Sequence, residues 1–248
     1  MTNSSLVSLK DILSEANSTG IISLENLTEQ NLRDKLQVLK GADPTNPRLF
    51  VWEFFQYGNY LMNATESIEG QILVDLGCGR NLDGYIFAKI AGAKAYIGND
   101  HVHIPRLYEK FNSYNGIGDS DLVEKITIMK NFLQTDPRAS WYNKETVSRI
   151  VGRMDKYLSR ELDIPVALVP EDMTTFLKRL PSNSVSVLTS GIDRQIISDK
   201  YIPEIESEIV RVLSPSGALI SWRSILTPKE LVKDVKSHGP FEKYYKQT

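Results

Sequence analysis

The chain of 248 residues is 41% hydrophobic and 24% charged, and these proportions exclude a disordered, a collagenous and a membrane protein. Its 29 basic and 31 acidic residues give a net charge of −2, which excludes the broad positive field that supplies most non-specific affinity for nucleic acid. Cys78 is the single cysteine, so neither an internal disulfide nor a multi-cysteine zinc site can form. The length suits one α/β domain with an elaboration.

The first residues have neither the basic segment nor the apolar segment of a secretory leader. No uncharged run approaches the length that crosses a bilayer. Together with the lone cysteine, which fits a reducing compartment, these features predict a cytoplasmic protein without membrane association.

Residues 1–65 are predicted to form a helical cap or lid, because apolar residues recur there at helical spacing. The stretch 49–61 holds six aromatic residues shortly before the first predicted strand. Tyr57 and Tyr60 combine an aromatic ring with a polar tip and are candidates for a substrate pocket. Packing of the same aromatic side chains in the core is the alternative.

Residues 66–248 are predicted to form a doubly wound α/β domain with a mostly parallel sheet, because short apolar runs alternate with helical segments. The stretch 101–165 is longer than a crossover helix needs and is predicted to be a helical insertion. A helix is predicted at 228–238, and at most one short strand fits in the residues after it. We therefore expect a sheet of six strands, or a sheet that is irregular at this edge. The predicted strands are 72–76, 95–99, 166–169, 185–189 and 218–221.

Gly77 and Gly79 lie where the first buried strand turns into a helix, a place where the backbone can approach a ligand closely. Asp100 ends the second strand, where a carboxylate can accept hydrogen bonds from both hydroxyls of a ribose. Leu82 occupies the third small position of a dinucleotide fingerprint, so NAD is the weaker interpretation. The spacing therefore predicts a nucleotide-like ligand.

Residues 71–224 resemble the class I S-adenosylmethionine-dependent methyltransferases. The runs 75–79 and 96–100 are similar to the first and second motifs of that family, 170–173 to its adenine-side segment, and 209–220 to the helix, turn and fifth strand that close its core. The resemblance implies a class I methyltransferase-like fold, S-adenosyl-L-methionine as the cofactor and S-adenosyl-L-homocysteine as the product.

The resemblance also implies roles for single residues. Gly77 and Gly79 would line the amino-acid part of the cofactor, with Asp75 ordering the loop, and Asp100 would hold the ribose. Asp172 would accept a hydrogen bond from the adenine amine; the alternative is that it only caps the following helix. Ser190 would lie beside the methionine part; the alternative is that it only ends a strand. The predicted cofactor site consists of Asp75, Gly77, Cys78, Gly79, Asp100, His101, Asp172, Met173 and Ser190.

Methyl transfer is an in-line displacement that needs few catalytic groups beyond those that orient the acceptor. Asp193, after the fourth strand, and His101, after the second, are the candidate proton acceptors, and Asp193 is also a candidate for the substrate pocket. No cluster of metal ligands stands out in the sequence, and no metal is expected.

A small molecule is the predicted methyl acceptor, and two alternatives stay open. RNA or protein methylation is favoured by the basic stripe formed by Arg149, Arg153, Lys156 and Arg160. A non-catalytic partner subunit is favoured by Asn81, which stands where many class I methyltransferases have a third glycine.

Overall fold

The computed structural model describes residues 59–79, 83–100, 120–159, 161–162, 164–169, 171–192, 194, 196–234 and 241–247. In this part of the chain the helices are α1 (Asn59–Ile68), α2 (Asp83–Ala91), α3 (Ser120–Thr135), α4 (Lys144–Leu158), α5 (Met173–Arg179) and α6 (Ile202–Val212), with 3-10 turns at Pro137–Trp141 and Asp199–Tyr201. The strands are β1 (Ile72–Leu76), β2 (Ala95–Asn99), β3 (Val166–Val169), β4 (Ser186–Ser190), β5 (Leu219–Trp222), β6 (Leu231–Lys233) and β7 (Phe241–Lys246).

The seven described strands form one sheet in the order β3-β2-β1-β4-β5-β7-β6. Strands β1 to β5 are parallel to one another, and β7 is antiparallel to β5 and β6. The chain steps outward from β1 to β3 and then returns to the other side of β1 to form β4. This reversal places a topological switch point between β1 and β4, where open α/β sheets bind ligands beyond the carboxyl ends of their strands.

The prediction of a helix at 228–238 and of a six-stranded or irregular sheet is wrong. The structure has β6 within the predicted helix and pairs β7 with the edge of β5. Leu231 and Tyr244 are buried in the core, and Phe241 stands opposite Trp222 with their rings 5.9 Å apart. A three-residue strand is too short to produce a clear alternation, so tertiary pairing rather than local pattern decided this segment.

The sheet is covered on both faces by separate apolar clusters. One face carries Leu73, Tyr96 and Leu188 and packs against helices α1, α2 and α4. The other carries Val74 and Val187 and packs against α5 and α6. Because each buried strand contributes alternate residues to the two faces, the site at the carboxyl ends rests on a sheet that is packed on both sides. Among the described helices, none combines the length and apolar character needed to cross a bilayer.

Helices α3 and α4 lie between β2 and β3, within the stretch predicted to be an insertion. They pack against each other, and α4 packs against α2. Asn143 caps α4, because its side chain accepts hydrogen bonds from the amides of Glu145 and Thr146. Helix α1 runs across residue 65, where the cap was predicted to end, and it packs against α2.

Two arginines of the basic stripe are engaged within the chain. Arg153 forms an ion pair with Glu69 and donates to the carbonyl of Ala91 at 3.2 Å. Arg149 lies 3.4 Å from the same Glu69 carboxylate. These contacts connect α4 to the ends of α1 and α2, so this half of the stripe stabilises the packing of the helices. Arg160 lies outside the described residues.

Candidate functional site

The turn after β1 is held in shape by the end of β2. Gly77 and Gly79 have φ values of +68° and +64°, which favour glycine. The amides of Gly77 and Cys78 donate to the carbonyl of Asn99 at 2.8 and 3.1 Å. A Cβ atom added to Gly79 would meet no described atom within 4 Å. At Gly79 the turn therefore presents bare backbone with no described side chain against it, which is the form that a ligand-binding loop needs.

Asp100 joins this turn directly. Its Oδ2 atom accepts a hydrogen bond from the amide of Gly79 at 3.1 Å, and the residue lines the same cavity as Gly77 and Gly79. The structure thus brings together the glycine turn and the acidic strand end. These are the two sequence features that predict a ligand containing a ribose. The contact with a ribose itself stays a prediction.

Asn99 is a site residue that the sequence interpretation missed. Its side chain is buried, and Nδ2 donates to the carbonyls of Val169 and Glu171 at 3.1 and 2.9 Å. Since its own carbonyl holds the glycine turn, Asn99 ties together the segments that follow β1, β2 and β3. An amide at the end of an otherwise apolar strand, directly before an acid, was the available signal.

Asp172 caps helix α5, which is one of the two roles predicted for it. Its Oδ1 atom accepts a hydrogen bond from the amide of Thr175 at 3.0 Å. Asp172 and Met173 both line the cavity beside Asp100. Their contacts with an adenine stay predictions, and the capping bond fixes where the carboxylate stands.

Ser190 ends β4 and lines the cavity. The buried Ile192 that follows it packs under the glycine turn, with its Cδ1 atom 3.5 Å from the position of a Cβ on Gly77. The candidate proton acceptors Asp193 and His101 and the pocket candidate Tyr57 lie outside the described residues, and so does the side chain of Tyr60.

The cavity has a volume of about 900 Å³, near the upper end of the range of about 300–1,000 Å³ for small-molecule and cofactor pockets. It runs from the glycine turn past the ends of β2 and β4 to the groove between α5 and α6. Its lining residues are Gly77, Gly79, Asn99, Asp100, Asp172, Met173, Thr174, Thr175, Lys178, Ser190, Ile192, Ile196, Ile197, Ser198, Tyr201, Glu204 and Ile205.

Asp75 is a buried carboxyl behind the glycine turn, with 2% of its surface exposed. Oδ2 accepts a hydrogen bond from the hydroxyl of Tyr96 at 2.7 Å, whereas Oδ1 is buried and has no hydrogen-bond partner within the described part of the chain. Burial raises the pKa of Asp75 to about 7, the bond from Tyr96 opposes this rise, and the charge of Asp100 adds to it. Asp75 therefore changes its charge near neutral pH.

Cys78 lies in the turn next to this carboxyl. Burial, followed by the charges of Asp75 and Asp100, raises the pKa of its thiol well above the usual value. Because the thiolate is the nucleophilic form of cysteine, this shift lowers the reactivity of the Cys78 thiol.

The strand order with an antiparallel β7, the glycine turn after β1 and the acid after β2 define the class I methyltransferase fold, which confirms the predicted fold class. The chain is similar to a precorrin 8w decarboxylase from Methanobacterium thermoautotrophicum, with 16% identity and a TM-score of 0.35 over 73% of this chain and 65% of that one. It is also similar to a SAM-dependent methyltransferase from Archaeoglobus fulgidus, with 15% identity and a TM-score of 0.37 over 74% of this chain and 55% of that one.

An rRNA methyltransferase from Streptomyces viridochromogenes is 14% identical, with a TM-score of 0.43 over 85% of this chain and 90% of that one. The chain thus spans less than two thirds of the length of the first two structures. No family model and no curated protein matches the sequence. Likenesses of this extent assign no activity to the chain, so its function is argued from the site.

Substitution of Asp100 by alanine is expected to weaken the binding of S-adenosylhomocysteine by about 10- to 100-fold, because it removes a charged hydrogen-bond acceptor from the cavity. The measurement is a calorimetric titration with S-adenosylhomocysteine and with an analogue that lacks the ribose hydroxyls. The unmodified protein should prefer the natural ligand, and Asp100→Ala should bind both ligands equally weakly.

Asp100→Asn is the matched control for this prediction, because its amide oxygen can still accept from the amide of Gly79. If Asp100→Ala keeps the full preference for the hydroxylated ligand, the ribose does not lie at Asp100.

Proposed function

We propose that the protein is an S-adenosylmethionine-dependent methyltransferase that acts on a small-molecule acceptor. The observation that carries this proposal is the pairing of Gly79 and Asp100 at the carboxyl ends of β1 and β2, beside the switch point of the sheet. There, a bare backbone turn and an acidic side chain face one cavity of about 900 Å³. A nucleoside ligand needs both features, one for close approach and one for its hydroxyls.

The residues of the cavity fit such a cofactor. A side chain at Gly79 would project into the space that the ligand needs, so the open position fits a group that lies against the turn. Gly77 and Gly79 would hold the amino-acid part of the cofactor, Asp100 the ribose, and Asp172 with Met173 the adenine. S-Adenosylmethionine supplies an activated methyl group when bound.

The chain's own contribution is orientation and exclusion of water, because an in-line displacement with a good leaving group depends mainly on holding the acceptor at the right distance and angle. Asn99 fixes three segments at the mouth of the sheet, and Ile192 closes the floor under the turn. Rigid support of this kind is what positioning requires.

Two observations support a small acceptor. The cavity volume of about 900 Å³ is near the upper end of the range for small-molecule pockets, which suits a cofactor together with a small acceptor. In addition, Arg149 and Arg153, half of the stripe that favoured an anionic polymer, form ion pairs with Glu69. An RNA contact would have to compete with these intramolecular pairs.

The acceptor class is tested with S-adenosylmethionine that carries a labelled methyl group. The protein is incubated with an extract separated into small molecules, RNA and proteins, and Asp100→Ala serves as the impaired control. We expect label in the small-molecule fraction and much less of it with the variant. Label in RNA or protein would contradict the small acceptor. Binding of the cofactor without transfer to any fraction would support a non-catalytic partner subunit.

A further inference from the structure

A buried pair formed by Asp75 and Tyr96 lies behind the glycine turn. The two residues stand on neighbouring strands, β1 and β2, on the face of the sheet that packs against α2. The Tyr96 hydroxyl donates to Asp75 Oδ2 at 2.7 Å, and both side chains are almost entirely buried. Burial of a carboxyl group costs free energy, so a carboxyl that is kept in such a place is a candidate for a functional group.

The surrounding backbone makes room for this pair. Gly84 at the start of α2 lies so close that a Cβ atom would fall far inside contact distance of Asp75 Oδ2 and 2.9 Å from its Cγ atom. Gly98, opposite Asp75 on β2, leaves space for the thiol of Cys78, 3.0 Å from the position of a Cβ. The core is therefore built around the carboxyl, although Oδ1 has no hydrogen-bond partner in the described residues.

We propose that Tyr96 is a positioning residue for the cofactor loop, which acts by orienting the carboxyl of Asp75 and by setting its charge, and that cofactor binding releases a proton from Asp75. This inference rests on the proposed function, because it takes the ligand at the turn to carry the ammonium group of S-adenosylmethionine or S-adenosylhomocysteine. The O–H bond of the neutral carboxyl breaks, the electron pair stays on Asp75, and the proton passes to the buffer.

Electrostatics gives the direction of this coupling. The pKa of Asp75 is raised to about 7 by burial, so the carboxyl is about half protonated at neutral pH. A cation at Gly77 and Gly79 favours the ionised form and expels the proton. The affinity for a cationic ligand should therefore rise as the pH rises through about 7.

Several other titratable groups lie around Asp75. Asp100, at the end of β2, raises the pKa of Asp75, and Cys78 in the turn is held neutral by burial. Helix α2 carries Tyr85, whose ring lies 5.6 Å from that of Tyr96, and Lys89, whose Nζ atom lies 4.9 Å from the ring of Tyr85. Strand β4 presents the apolar Leu188 opposite Asp75. None of these groups replaces the hydrogen bond from Tyr96 to the carboxylate.

The first test needs no ligand. The pKa of Asp75 is measured by carboxyl-carbon NMR in the unmodified protein and in Tyr96→Phe, which removes the donor and should raise the pKa by about one to two pH units. Tyr244→Phe is the matched control, because it removes a tyrosine hydroxyl that donates to a carboxylate, Glu242, on β7. It should leave the pKa of Asp75 unchanged. An unchanged pKa in Tyr96→Phe would overturn the role of Tyr96.

The second test measures proton release directly. Calorimetry of S-adenosylhomocysteine binding to the unmodified protein near pH 7, in two buffers of different ionisation enthalpy, should show release of about half a proton per site. Adenosine, which lacks the ammonium group, should release none. Binding of S-adenosylhomocysteine without proton release would overturn the coupling and leave the proposed function standing. Absence of binding at every pH would contradict the proposed function, and the coupling with it, while the NMR titration still decides the role of Tyr96.

Discussion

Gly84→Ala is expected to destabilise the protein by about 3 kcal/mol, at the upper end of the usual cost of overpacking a core. The added methyl group would overlap Asp75 Oδ2 and would lie 3.0 Å from Cδ2 of Leu188. Neither neighbour can move freely, since both belong to central strands of the sheet. The measurement is urea unfolding at neutral pH, read as the change in the free energy of unfolding.

Gly152→Ala is the matched control for this substitution. Gly152 lies inside helix α4 and would place a Cβ where no described atom lies within 4 Å. Alanine should therefore stabilise the protein by about 0.5–1 kcal/mol, through its higher helix propensity. If Gly84→Ala stabilises the protein as Gly152→Ala does, then α2 does not press against the carboxyl as described.

Gly79→Val is expected to weaken the binding of S-adenosylhomocysteine at least about 100-fold, beyond the reach of an ordinary titration. The isopropyl group would project into the open space beside the turn, and a β-branched residue is strained at a φ of +64°. The sheet should remain folded, because the turn lies beyond the end of β1 and the added Cβ atom meets no described atom within 4 Å. Binding is measured by calorimetry and folding by circular dichroism.

Gly70→Val separates the effect of strain from that of blocking. Gly70 has a φ of +74° and is likewise open, but it lies before β1, at the opposite end of that strand from the turn. Gly70→Val should lower the free energy of unfolding about as much as Gly79→Val does. It should leave the affinity for S-adenosylhomocysteine unchanged. Normal binding by Gly79→Val would mean that the turn does not hold the cofactor.

The part of the site that could be predicted from the sequence is the part encoded over short distances. The glycine turn and Asp100 each follow directly from a buried strand, and parallel pairing of β1 with β2 necessarily brings their carboxyl ends together. The contact from Gly79 to Asp100 spans 21 residues yet follows from these two local patterns.

Other features depend on the register between strands or on packing between distant helices. The hydrogen bond from Tyr96 to Asp75 requires both side chains to lie on one face of the sheet. The register between β1 and β2 decides this, and the register cannot be predicted from the local sequence. Pairing of Arg153 with Glu69 joins residues 84 positions apart. Pairing with β7, rather than the local pattern, fixes the structure of the short strand β6, and for this reason the sequence predicts a helix there.

The central claim is that the glycine turn and Asp100 hold S-adenosylmethionine or its product. The most direct measurement is a calorimetric titration of the unmodified protein with S-adenosylhomocysteine, with NAD as the control ligand. Saturable binding of S-adenosylhomocysteine, and none of NAD, is the predicted result. Binding of NAD, or of neither ligand, would contradict the claim.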